Sequence, residues 1–172
     1  MIALHPYNDH AAAAIFAQLD PFDQIEANVI QGEIVSHLAM FAQWRAMRPT
    51  WIAGHILATD GAPNLADQAF AVMALGNTGQ CGVAQGAFLS RNHTKFKKPL
   101  VAAARAMAIN IPLLCEQHGI HRIEARCYAG HPTASTFLQL IGFQHETDMP
   151  GFGSDGSATF RQFSFVPVRG RV

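Results

Sequence analysis

A long apolar helix set between two strand-like segments leaves this chain few architectures. Residues 95–118 keep Leu100, Ala103, Ala104, Met107 and Ile111 on one side, the spacing of a helix that buries one face. Before it, residues 81–89 read as a strand interrupted by Gly82 and Gly86. After it, residues 120–128 alternate, with Ile123, Ala125 and Cys127 on one side and Arg122, Glu124 and Arg126 on the other. A helix joining two strands of one sheet is a crossover, so those strands should run parallel. Pro112 is expected to kink or split the helix. Gly119 is placed as its C-cap, with Ile120 as the following apolar contact.

The flanking segments fill in the sheet. Residues 51–58 and 69–75 read as strands separated by a Gly61-Ala62-Pro63-Asn64 loop, and Gly76-Asn77-Thr78-Gly79 as a turn. With residues 81–89 they suit an antiparallel meander. Residues 132–141 form a short helix closed by Gly142, and residues 143–147 and 158–166 a final antiparallel pair around the glycine-rich stretch 149–156. Upstream, residues 9–48 are helical in three pieces: one capped by Asp9, one started by Asp20-Pro21 and ended by Gly32, and one over residues 34–48 with Ile34, Leu38, Phe41 and Trp44 at spacings of three and four. The expected fold is thus α/β (α+β), a mixed and mostly antiparallel sheet flanked by helices. A single domain over residues 1–172 is expected, with the sheet and its crossover helices at 51–166.

Charge narrows the function. Twelve basic and twelve acidic residues cancel, and only 14% of the chain is charged, against about 25% in an ordinary domain. That argues against a general nucleic-acid binder and favours a homo-oligomer or a place in a larger assembly. No uninterrupted apolar run suits a membrane span. The start Met-Ile-Ala-Leu-His-Pro lacks a signal peptide's basic start and apolar core. Three cysteines make no disulfide framework, so a reduced, cytoplasmic protein is expected. Between Asp67 and Glu116 there is no acidic residue, while Arg91, Lys95, Lys97, Lys98 and Arg105 fall there. This cluster suits an anionic ligand, or alternatively a solvated helix start. Nine histidines raise the question of a metal, but His118-x-x-His121 straddles a helix end and no second pair has ligand spacing. No metal is expected.

The segment His121 to Phe143 resembles the C-terminal half of the GNAT superfamily of acyl-CoA-dependent N-acyltransferases. In that family a strand is followed by Asn-x-x-Ala, a short helix and Leu-Gly-Phe. Here His131-Pro-Thr-Ala134 stands at the first motif and Ile141-Gly142-Phe143 at the second. The resemblance implies two central parallel strands that splay apart, with the thioester arm of acetyl-CoA or another acyl-CoA in the gap and an amine as the acceptor. It implies cofactor contacts from Phe88, Leu89, Lys95, Lys97, Lys98, Val101, His131 and Ala134. The pyrophosphate would lie at the start of the long helix, where free N–H groups and the dipole attract anions.

Two positions depart from the family pattern. Its Gln/Arg-x-x-Gly-x-Gly/Ala at the helix start is replaced by Lys95-Phe-Lys-Lys-Pro-Leu-Val-Ala-Ala-Ala104, where Pro99 removes a donor N–H. Lysines supply point charges instead of an amide cradle. The family's acid tyrosine is replaced by Leu138, leaving Tyr128 as the nearest phenol. Glu124, His131 and His55 are the candidate bases; Glu124 also suits a salt bridge, and His131 and Tyr128 also suit structural roles. A narrower resemblance, through Leu19-Asp-Pro-Phe-Asp-Gln-Ile-Glu-Ala27 and Phe152-Gly-Ser-Asp-Gly156, is to GNAT-like proteins encoded among tailed-phage structural genes. It implies a non-catalytic alternative, a virion or assembly component with phage structural proteins as partners.

Overall fold

In the computed structural model, which describes residues 2–60 and 64–167, a short edge strand, β1 (Ile2–Pro6), precedes the helices. Three helices then begin at side-chain caps. Asn8 caps α1 (Asp9–Phe16) by accepting the Ala11 N–H at 2.9 Å. Asp20 caps α2 (Pro21–Gln31), which ends at Gly32 in the left-handed region, φ 71°. Ser36 caps α3 (His37–Ala46). The first cap is therefore Asn8, with Asp9 one residue inside. The third helix is shorter than its periodicity suggests. Asn28 Oδ1 takes the Val35 N–H at 3.0 Å and pins the link before it. Ile34 and Leu38 consequently face solvent, 92% and 66% exposed, while Met40 and Trp44 turn inward.

The remaining strands follow in the expected order: β2 (Trp51–Thr59), β3 (Ala69–Asn77), β4 (Val83–Ser90), β5 (Arg122–Tyr128), β6 (Gln144–Phe152) and β7 (Ala158–Phe165). Between them lie α4 (Leu65–Gln68), α5 (Lys97–His118) and α6 (Ala134–Leu140). Of the loop expected at residues 61–64, residues 61–63 lie outside the described residues, and Asn64 caps α4. The sheet order is β1-β2-β3-β4-β5-β7-β6, antiparallel except for the β4–β5 pair.

Helix α5 runs unbroken through Pro112, so of the expected kink or split the split does not occur. Pro112 is exposed, so the carbonyl it leaves without a helical donor can turn to water. The helix closes at Gly119 (φ 63°), and the Ile120 N–H bonds back to Cys115 at 2.8 Å. Strand β6 reaches Phe152, further than expected. It is an edge strand, where Pro150 forfeits no ladder bond and the register shift at residues 150–152 is absorbed.

Helices cover both faces. On one, α5 and α6 bury Ala104, Ile111, Cys115, Ile123, Ala125, Phe143 and Phe163. On the other, α1 and α3 bury Ala11, Ile15, Phe16, Trp44, Ile56 and Val72. Among the described helices, α5 alone has the length and hydropathy to cross a membrane; its buried Ala103, Ala104, Ile111 and Cys115 belong to the protein core.

Candidate active site

Strands β4 and β5 pair only at Val83↔Arg122, Ala84↔Ile123 and Gln85↔Glu124. Both continue beyond that point, so a gap opens between residues 86–90 and 125–128. Backbone groups alternate in direction along a strand. The Arg91 N–H bonds to Phe70 on β3, whereas the Ser90 N–H points across the gap to Asp23. By the same alternation Phe88 and Gly86 direct their backbone groups into the gap.

The α1–α2 link and α2 close the wide end. Leu19 bridges Arg91, and the Asp20 N–H bonds to the Ser90 carbonyl at 2.9 Å. Two carboxylates one helical turn apart then span the gap. Asp23 Oδ2 accepts the Ser90 N–H at 2.8 Å, from β4, and Glu26 Oε2 accepts the Tyr128 N–H at 2.8 Å, from β5. Burial pushes the Glu26 carboxyl up to about 6; the Tyr128 N–H and His131 pull it down only in part, and Asp23 adds to the rise.

Asp23 sits in a buried polar cluster. His131 Nε2 lies 3.0 Å from its Oδ1 and His93 Nε2 3.4 Å from the same oxygen. Burial raises the Asp23 carboxyl, but bonds from His131, His93 and Ser90, with the charge of His93, more than offset it and hold the group below its usual range. For His93, burial lowers the affinity for a proton, but Asp23 and Asp20 outweigh it and the net shift is upward. The His93 N–H also donates to Asp20 at 2.7 Å.

Asp23, His93 and His131 hold potential metal-ligand atoms within 4.8 Å of one another, a grouping the sequence spacing does not reveal. His131 does not fit a metal. Its Nδ1 accepts the N–H groups of Thr133 (3.2 Å) and Ala134 (3.0 Å) at the start of α6. The proton of a neutral ring must then sit on Nε2, where it donates to Asp23 and leaves no lone pair for an ion. The same arrangement engages both nitrogens of His131, so its work here is to fasten α6 to α2.

The other expected residues divide. Tyr128 lies at the wide end of the gap beside Glu26, its ring 5.8 Å from Phe160. A Cβ at Gly130 would come within 2.6 Å of that ring, so a side chain there would displace it. Glu124 is at the narrow end, about 13 Å from Tyr128 along the strand, and bonds Arg122 Nε at 2.7 Å. His55 is on β2, two strands from the gap, with burial lowering its proton affinity. Phe88 crosses the α5–α6 face of the gap and meets Phe137 of α6 at 4.7 Å between ring centres. Leu89 packs on the opposite face with the α1–α3 core, and Ala134 and Leu138 pack into the α5–α6 core.

At the start of α5, Lys95, Lys97 and Lys98 are exposed and Val101 is 39% exposed. The backbone there is partly committed: the Lys95 N–H bonds to Asn92 Oδ1 at 2.8 Å and the Phe96 N–H to the Asn92 carbonyl at 3.0 Å. Arg91 departs from the expected cationic cluster. It is buried and donates to the Ala69 and Ala66 carbonyls and to Gln18, holding α1 and α4 against β4. Sequence reading alone does not single out Glu26. The available signal was Asp23 and Glu26 on one turn after a capped Asp20-Pro21 start.

Splayed parallel strands between such helices define the GNAT fold, and this chain has it. No family model and no curated protein matches the sequence. Solved structures match in shape. A GNAT-family acetyltransferase from Bacillus anthracis superposes with a TM-score of 0.69 at 9% identity, covering 98% of this chain and 96% of that one. The ribosomal-protein-S18-alanine N-acetyltransferase of Escherichia coli gives 0.67 at 12% identity, covering 99% and 97%. A phosphinothricin acetyltransferase from Sinorhizobium meliloti, solved with acetyl-CoA, gives 0.65 at 9% identity, covering 96% and 88%.

Proposed function

We propose that the protein is a GNAT-type N-acyltransferase, acting in the cytoplasm, that moves an acetyl or other acyl group from acyl-CoA to an amine. The observation that carries this reading is a strand gap with backbone groups directed into it and a half-buried carboxylate, Glu26, at its mouth with a pKa of about 6. A base is most useful when its pKa lies near the working pH. The gap suits a narrow arm that pairs with the edges of Gly86 and Phe88. Lys95, Lys97 and Lys98 supply cations at the start of α5 for its phosphates, as point charges.

When bound, acyl-CoA supplies an activated acyl carbonyl, at which a C–N bond to the amine forms as the C–S bond breaks and the thiol is released. Glu26 takes the proton that converts the acceptor's ammonium to a nucleophilic amine. Tyr128 lines the acceptor side, and its backbone N–H orients Glu26.

A second reading, a non-catalytic GNAT-fold protein of a phage particle or other assembly, is favoured by one contact: Phe88 and Phe137 meet across the gap where the arm would lie. Calorimetric titration with acetyl-CoA and CoA, alongside a thermal melt, decides between them. Micromolar binding and a raised melting temperature support the acyltransferase. No heat and no shift at millimolar ligand would replace it with the assembly protein.

A further inference from the structure

Arg126 is a charged side chain of the sheet that the site described so far leaves unused. It lies on β5 two residues before Tyr128, on the same strand face, opposite Gln162 of β7. Its neighbours in sequence, Ala125 and Cys127, turn into the α5–α6 core, so Arg126 points to the face carrying α2. That face is uncovered here: Arg126 is exposed, and so is Ala87 on the β4 side of the gap.

The other two arginines on described strands are paired. Arg122 bonds Glu124 at 2.7 Å and Glu146 at 2.5 Å, and Arg161 reaches Asp148 at 3.7 Å and Ser135 at 3.1 Å. Among the described residues Arg126 has no such partner. Its backbone is about 7 Å along the strand from Tyr128, whose N–H holds Glu26. A guanidinium and a carboxylate therefore flank one open stretch of sheet.

We propose that the acceptor is an amine that also carries a carboxylate, a free amino acid, with Arg126 binding the carboxylate and Glu26 receiving the ammonium end. This rests on the acyltransferase reading and names its substrate class. The two protein charges are arranged as the complement of a zwitterion. An arginine fork suits a carboxylate in two-point contact, and Glu26, held by the Tyr128 N–H, is the carboxylate next to it for the cationic end.

The test offers the common L-amino acids and, for each, the amine left after decarboxylation, with acetyl-CoA as donor. Heats of binding of the same compounds are measured without donor. The wild type should prefer amino acids. In Arg126→Gln the ratio of kcat/KM for an amino acid to that for its decarboxylated partner should fall roughly 10- to 100-fold, mainly through KM. The heat of amino-acid binding should fall with it, and Arg126→Lys should restore part of both. Amines acylated without preference, or a preference that survives Arg126→Gln, would overturn the assignment while leaving acyl transfer intact. If acetyl-CoA binds but neither set is acylated, the acceptor assignment falls. If acetyl-CoA does not bind, the acyltransferase reading falls and takes this one with it.

Discussion

Glu26 shows how one residue sets opposing demands. Its carboxylate is drawn out of much of the solvent to hold the Tyr128 N–H, and that desolvation lifts its pKa from the ordinary 4.5 to about 6. The unfolded chain therefore releases this proton more readily than the folded one. Below about pH 4.5 both states hold it and there is no penalty. As the pH rises through 6 the folded state bears the full cost of a buried charge, about 2 kcal/mol. Glu26→Gln keeps an oxygen for the Tyr128 N–H and removes the charge. Its melting temperature should exceed that of the wild type at pH 8, with the gap shrinking toward pH 4.5, while acyl transfer is lost. Melts at several pH values, with a transfer assay, check both halves. A stability gain without loss of transfer would remove Glu26 from catalysis. Asp23 differs because its partners are built in: Asp23→Ala strands the Ser90 N–H and both imidazoles, and should cost about 3–5 kcal/mol by chemical unfolding.

At the scale of elements, the start of α5 separates two sources of anion affinity. With the Lys95 and Phe96 N–H groups committed to Asn92 and no N–H on Pro99, phosphate binding falls mainly to the lysines. Lys97→Ala with Lys98→Ala should weaken acetyl-CoA binding roughly 10-fold, more at low salt than at high, as read by calorimetry at two ionic strengths. Unchanged affinity would move the phosphate site elsewhere. Elements of this kind were legible wherever a local signal specifies them. Asp20-Pro21 and Gly32 bound α2, Gly119 ends α5, and alternation marks β5 with its core side correct. Such signals are short-range. The edge strand β1 was missed because five residues hold too little pattern, and Ile34 and Leu38 because periodicity cannot say whether a partner layer exists. Arg91 reads as a ligand cation in the sequence because its neighbours there are lysines, whereas its carbonyl partners come from residues 66 and 69. Glu26, His93 and His131 lie far apart in the chain. Only the closure of the gap by α2 brings them together, and no spacing rule encodes that.

For the whole molecule, α2 is fastened to the open end of the sheet largely by groups that titrate, and their signs combine. Asp23 has a lowered pKa, so its contribution is complete above the ordinary carboxylate value of 3.8 and is lost as the pH falls through the lowered one. His93 has a raised pKa, so its contribution is complete below the ordinary imidazole value of 6.5 and is lost as the pH rises through the raised one. Glu26 acts in the same direction as His93, since its burial penalty grows between about 4.5 and 6. All three are most favourable together on the mildly acidic side of neutrality. The melting temperature should therefore peak near pH 5, roughly, and decline toward pH 8. His93→Ala and Glu26→Gln should each flatten the alkaline limb, and the double variant should flatten it further. Hydrogen exchange locates the effect. Going from pH 5 to pH 8, after correction for intrinsic rates, protection should fall at the Ser90 and Tyr128 amides, which α2 caps, while β2 and β3 around Ile56 and Val72 keep theirs. A profile that rises from pH 5 to pH 8, or a loss of protection spread evenly over the sheet, would show that this polar cluster does not govern how the helical layer is held.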